Sequence, residues 1–292
     1  MVTPQEKNEK LATALGVPLI YLKREDLHPY GSHKGRSIPR MMDHYLDLGT
    51  SRFVISSSGN AALAAARHAK KLRADGHDIA LDIFVGTHAD KDKVRAIESE
   101  IVPGIRIETS TRPLQRLLEM TRMSPAVSLR QSTDDEALVG YYELALELLA
   151  IRDLSAVFVG TSSGTTIQGL GELFEREGRR IPLYAVQTTA CHPIALGFEE
   201  SARAQSRTPS IAGAIVDKVA RRKKAVESVI HNSGGSALIV TDEEIRHAMS
   251  LFGVHAGIAV SPNGALALAG LIRAQSRGMT FSGPIALVIC GK

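Results

Sequence analysis

The 292-residue chain has no tryptophan, only two cysteines and 4% aromatic residues. Cys191 and Cys290 are far apart in sequence, which leaves neither a disulfide framework nor a CxxC zinc site. Ten histidines are present, but none falls in HExxH or similar ligand spacing, so no metal is expected. No apolar run approaches a membrane span, and the polar opening MVTPQEKNEK lacks the apolar core of a secretion signal. A cytoplasmic protein with no membrane partner is therefore expected. Internal repeats, low-complexity tracts and obvious linkers are also missing, so any domain boundary falls in ordinary loops. The polar stretch from Ser201 to Ser210 is the candidate for the longest of these.

Apolar residues make up 44% and charged residues 23%, the composition of an ordinary globular protein. The net charge of +4 is mildly basic and suits anionic small molecules. One dense basic run, Arg221-Arg222-Lys223-Lys224, has no aromatic neighbours for stacking on bases. It reads as a solvated helix face, and no nucleic-acid partner is expected.

Short β-branched apolar runs alternate with Ala/Leu-rich helical stretches. Strands are predicted at Leu19 to Leu22, Phe53 to Ile55, Ile79 to Val85, Ile105 to Ile107 and Ala156 to Val159. Further strands are predicted at Leu183 to Val186, Ala237 to Val240 and Ile285 to Ile289. Helices are predicted at Ala61 to Leu72, Asp90 to Ser99, Pro113 to Arg122, Asp134 to Ala150, Ile167 to Glu177 and Asp242 to Phe252. Nearly continuous apolar strands with helical crossovers imply an α/β fold with parallel sheets covered on both faces.

Four stretches suggest chemistry. In YLKREDLHPYGSHKGR a strand runs into a charged edge, Lys23 to Asp26, and a tight turn, with Lys34 where a helix should begin. The positive end of a helix disfavours an ammonium, and a free amine is the nucleophile of Schiff-base chemistry. A solvent-facing lysine after a turn fits the same residues. Ser56-Ser57-Ser58-Gly59-Asn60 joins a strand to a helix, a pattern that binds a carboxylate or phosphate, or that merely caps the helix through Ser58 or Asn60. Gly160-Thr161-Ser162-Ser163-Gly164-Thr165-Thr166 repeats that arrangement and is neither a Walker A nor a GxGxxG motif. Last, Ile285-Ala286-Leu287-Val288-Ile289-Cys290-Gly291-Lys292 reads as a buried strand ending on a small residue, where open α/β sheets place ligands. By itself Cys290 is equally a small buried hydrophobe.

Taken in order, these four stretches resemble the motifs of the fold-type II pyridoxal-phosphate enzymes, the tryptophan synthase β-like superfamily. LKREDLHPYGSHKGR is similar to their lysine motif, SSSGNAA to their asparagine loop and VGTSSGTTIQG to their phosphate loop. LVICG is similar to their terminal strand. Tyr184 to Gln187 leading to His192-Pro193-Ile194, Pro209 to Ala212, Ser233 to Gly235, Val240 to Glu244 and Ala256 to Pro262 look most like threonine synthases. Departures from that pattern are His33 before Lys34, Gly35-Arg36 after it, Ser162-Ser163 in the phosphate loop and Cys290 in place of Ser or Thr.

The resemblance implies two open parallel-sheet three-layer domains with pyridoxal 5′-phosphate (PLP) in the cleft between them. The smaller would span 41–145 and the larger 1–40 plus 146–292. It implies that Lys34 is catalytic and carries PLP, and that Asn60 hydrogen-bonds the cofactor's 3′-oxygen. Ser162, Ser163, Gly164, Thr165 and Thr166 would hold its phosphate, and Cys290 would face its ring nitrogen. Ser57, Ser58, Gly59 and Asn60 would hold the carboxylate of an amino-acid substrate. The implied reaction is conversion of O-phospho-L-homoserine and water into L-threonine and phosphate, in a homodimer. The alternatives are serine/threonine ammonia-lyase activity, cysteine synthase-like β-replacement, and a PLP-binding protein without turnover.

Overall fold

The computed structural model describes residues 2–198 and 206–291, so part of the expected 201–210 loop lies outside the described residues. The chain starts with β1 (Gln5–Lys7), α1 (Glu9–Leu15), β2 (Ile20–Lys23) and α2 (Lys34–Asp47). Next come β3 (Arg52–Ser56), α3 (Asn60–Ala74), β4 (Ala80–Gly86), α4 (Lys91–Glu98), β5 (Ile105–Ser110), α5 (Pro113–Met123) and β6 (Val127–Ser128). Helices α6 (Glu136–Val139) and α7 (Tyr142–Leu149) lead to β7 (Ala156–Gly160), α8 (Thr165–Arg176) and β8 (Leu183–Thr188). The last elements are α9 (Lys223–Ser233), β9 (Ser236–Val240), α10 (Asp242–Leu251), α11 (Pro262–Ser276) and β10 (Ile285–Val288).

Two compact units emerge, Met1–His28 with Tyr141–Lys292 and, separately, Pro29–Gly140. The larger is built on a six-stranded sheet in the order β1-β2-β10-β7-β8-β9, parallel except for the β1 edge. Alternate residues of one strand feed opposite layers: Ala156 and Phe158 enter one core, Val157 and Val159 the other. Helices therefore cover both faces, and the strands read as unbroken apolar runs. The smaller unit has a parallel four-stranded sheet, β5-β4-β3-β6, also with a core on each face. The expected α/β class with two parallel-sheet units is what the chain adopts.

Three local differences from the sequence reading have physical reasons. The expected helix over Asp134 to Ala150 is broken at Gly140, where a Cβ would lie 2.5 Å from Arg36 O and Ser37 Cα. Strands β1 and β6 escaped notice because QEK and VS are too short to show a period. Residues 29–40 pack with the smaller unit, since α2 buries Ile38, Met41 and Met42 in the core of β3, β4 and α3. Lys34 goes with them.

Candidate functional site

In the larger unit, β7 ends at Gly160 and α8 begins at Thr165. Gly164 caps α8 at φ 84°, in the left-handed region, and a Cβ there would lie 2.4 Å from Val226 Cγ2. Backbone conformation and available space both require glycine. The Gly164 N–H donates to Thr161 Oγ1 at 3.1 Å, and the Ser163 and Thr165 hydroxyls pair at 2.8 Å. Thr165 and Thr166 are buried in the first turn. Since α8 has no side-chain cap, its first-turn N–H groups and these hydroxyls form a donor set suited to a phosphate or carboxylate.

Ser162 has a different job from its neighbours. Its Oγ accepts from the Val216 and Asp217 N–H groups, both at 2.9 Å, and so ties the 216–217 segment to the loop. A second brace is Gln187, fully buried at the end of β8. Its Nε2 donates to the Thr161 and Ser162 carbonyls at 3.4 and 3.2 Å. Its Oε1 accepts from the Ile194 and Ala195 N–H groups at 2.9 and 3.0 Å. Sequence reasoning gave Gln187 no role, although a glutamine inside an apolar strand is the signal that marks it.

Cys290, just past β10, is 6% exposed. Its Sγ lies 3.6 Å from both the Gly160 and Val288 carbonyl oxygens, within reach of its single S–H, and so links the terminal strand to the start of the glycine loop. Ser261 accepts from the Gly264 N–H as the cap of α11 and donates to Gly291 O at 3.0 Å, which holds the same chain end. Burial first, then the Asp217 carboxylate, pushes the thiol of the other cysteine, Cys191, above its ordinary value.

In the smaller unit, half-buried Lys34 is the first residue of α2, as its turn predicted. Its N–H donates to the hydroxyl of the fully buried Ser32 at 3.2 Å. The serine loop joins β3 to α3, and Asn60 is the first helical residue. Gly59 is the cap and makes no side-chain bond, so capping by Ser58 or Asn60 does not describe this helix. Ser57 Oγ accepts from the Gly59 N–H at 3.3 Å, and residues 57–60 are all half-buried. The structure thus groups Lys34 with Ser57, Ser58, Gly59 and Asn60 in one unit. Ser162 to Thr166 and Cys290 lie in the other.

Two charge assignments from sequence need correcting. The Lys23 to Asp26 edge is largely buried: Lys23 and Glu25 are fully covered and Asp26 is 7% exposed. Lys23 is ion-paired with Glu147 and donates to Thr3 O at 2.9 Å, while the Thr3 hydroxyl donates to Glu25 Oε1 at 2.5 Å. A lysine this deep is tolerated because its charge is met. Within the basic run, Arg222 turns inward and donates to Gln168 Oε1 at 3.2 Å, while Arg221 and Lys224 face solvent. Among the described residues, no group of three His, Cys, Asp or Glu side chains could hold a metal ion. Among the same residues, no helix is long and apolar enough to cross a membrane.

A family model described as pyridoxal-phosphate dependent enzyme matches residues 1–291. The threonine synthase of Methanosarcina acetivorans is 26% identical, over 95% of this chain and 70% of that protein. The catabolic L-threonine dehydratase of Staphylococcus aureus is 24% identical, over 92% of this chain and 77% of that protein. The structure of maize serine racemase superposes with a TM-score of 0.82 at 22% identity, covering 99% of this chain and 87% of that one. At that identity the likeness speaks to fold alone.

Proposed function

We propose, from the premise that this chain belongs to the pyridoxal-phosphate dependent enzyme family, that it is a threonine synthase-like lyase. It would convert O-phospho-L-homoserine and water into L-threonine and phosphate. The family's cofactor is PLP. The observation that carries the reading is the start of α8, a helix N terminus without a side-chain cap, ringed by Ser163, Thr165 and Thr166, with a glycine where no other residue fits. Such a cradle fits the cofactor's phosphate. The choice of substrate draws on relatives named threonine synthase at 26–28% identity.

In this reading Ser163, Gly164, Thr165 and Thr166 hold the phosphate, with Ser162 as a brace behind them. Lys34 would join the cofactor covalently, Asn60 would donate to its 3′-oxygen, and Cys290 would face its ring nitrogen. Ser57, Ser58 and Gly59 hold the substrate carboxylate at the N terminus of α3. When bound, the cofactor supplies an electron sink that acidifies the substrate's Cα–H. Freed when the substrate's own amine takes its place on the cofactor, the Lys34 amine would take that proton and return protons as the product forms. Across the whole reaction phosphate leaves Cγ and water adds at Cβ.

The test is the visible absorption of the purified protein with PLP, for wild type and Lys34→Ala, followed by borohydride trapping and peptide mapping. A band present in the wild type, trapped at Lys34 and missing from the variant, is expected. O-phosphohomoserine should then yield inorganic phosphate and threonine. The dehydratase relative favours a second reading, elimination from serine or threonine. Ammonia release without a requirement for phosphorylated substrate, and without inhibition by inorganic phosphate, would establish that one instead. PLP uptake with no product from any of these substrates would mean a binding protein. A cytoplasmic homodimer belongs to the same proposal and is checked by sedimentation equilibrium and cell fractionation.

A further inference from the structure

The turn that presents Lys34 is clasped by two consecutive residues of α3. Arg67 Nη1 donates to Pro29 O at 3.4 Å. Gly31 follows at φ 86°, and a Cβ there would lie 3.3 Å from that same guanidinium nitrogen. His68, only 4% exposed, has both ring nitrogens engaged. Nδ1 lies 2.9 Å from the Tyr30 hydroxyl and Nε2 lies 2.7 Å from Asp43 Oδ1. The Tyr30 and His68 rings also meet edge-on, with centroids 5.8 Å apart.

The partners set the order of donors. An ionised carboxylate only accepts, so Nε2 carries the hydrogen toward Asp43, and in the neutral ring Nδ1 accepts from the phenol. Burial first, then the Asp43 and Asp75 carboxylates, pushes the Tyr30 phenol above its ordinary value, which keeps it a donor. Asp43 lies on α2, His68 on α3 and Tyr30 in the turn, so one imidazole joins all three segments around Lys34. The same helix also carries the serine loop at its N terminus. Asn60 stands eight residues from His68, about 12 Å along the axis.

We propose that His68 is a positioning residue for Lys34: Asp43 fixes the imidazole, and the imidazole holds the lysine turn through the Tyr30 hydroxyl. This rests on the reading of Lys34 as the residue that carries PLP. From Tyr30 the turn runs on through Gly31 to Ser32, whose hydroxyl accepts from the Lys34 N–H.

The experiment measures how fast added PLP becomes fixed to Lys34, by timed borohydride trapping and peptide mass, alongside thermal unfolding of the protein without PLP. The variants are Tyr30→Phe, His68→Ala, their double, and His68→Gln, which keeps one donor and one acceptor. Each of the first two should slow trapping about tenfold, the worth of one part-buried hydrogen bond. The double should be no slower than the slower single, because both act through one contact. His68→Gln should recover to within about threefold of wild type. Trapping within about twofold of wild type in both singles, independent effects that multiply in the double, or a glutamine variant as slow as alanine, each overturns the positioning role. A merely structural role would lower the unfolding temperature and leave trapping by the folded fraction unchanged. If the wild type traps no PLP at Lys34, the cofactor reading falls and takes this proposal with it. If the wild type traps normally and the variants match it, only the positioning role falls.

Discussion

Ser57–Asn60 and Ser162–Thr165 both lead from the end of a parallel strand into a long helix, and both carry serine hydroxyls at that junction. Locally they are near twins, but their surroundings differ. The loop before α8 is fixed on every side. Gln187 holds two of its carbonyls, Ser162 receives two N–H groups from residues 216–217, and Val226 closes on Gly164. The loop before α3 has the Ser57–Gly59 bond, a Ser57 N–H bond to Phe84 O, and open space where a Gly59 side chain would point. A braced cup suits a group that stays bound, and a lightly held one suits a group that comes and goes. Charge does not distinguish them, because neither cup has a charged side chain of its own. Tertiary bracing does.

The sharpest way to break this comparison is alanine at each glycine. Gly164→Ala must adopt a left-handed conformation and displace Val226, at a cost of about 2–5 kcal/mol in denaturant unfolding. Loss of PLP uptake should accompany it. If the substitution proves neutral, the α8 cup is no more constrained than its twin. Gln187→Leu comes next. It leaves two carbonyls and two N–H groups without partners, and about 2–4 kcal/mol of stability should be lost. Urea titration reads the loss directly, and fluorescence of bound PLP reports whether the loop has relaxed.

Ser162→Ala should cost about 1 kcal/mol, since the freed Val216 and Asp217 N–H groups lie near solvent. It should weaken PLP binding less than Thr165→Ala or Thr166→Ala, because its hydroxyl already serves the 216–217 segment. Equal losses across those three variants in a PLP titration would place Ser162 among the direct phosphate ligands. The smallest effect on stability is expected for Gly59→Ala, within about 0.5 kcal/mol of wild type. There the backbone is extended, at φ −127°. A methyl group at that spot should instead raise the KM for substrate while leaving PLP uptake intact. If PLP uptake falls and KM holds, the two cups have exchanged roles.

Much of this was legible in the chain itself. Lys34 starts a helix because the Pro29-Tyr30-Gly31-Ser32 turn before it has to end one element and open another. Gly164 could be marked as special from its place between serine and threonine at a strand–helix junction. What escaped was whatever depends on a distant partner. The charged run after β2 looked like an edge, but Glu147 and Thr3, remote in sequence, make it a buried network. Arg222 looked solvated until Gln168 supplied its acceptor. No window of sequence holds both members of such pairs.

The alternation of apolar strands with helical crossovers was enough to determine the α/β class, because strand and helix periods are local properties of the chain. The order of the lysine, serine, glycine and terminal-strand motifs was likewise enough to suggest the family. The tertiary structure alone decided which of two similar loops is braced, which unit Lys34 belongs to and which charges are buried. Those outcomes depend on desolvation and on partners up to a hundred or more residues away, and a side chain acquires such partners only when the chain has folded.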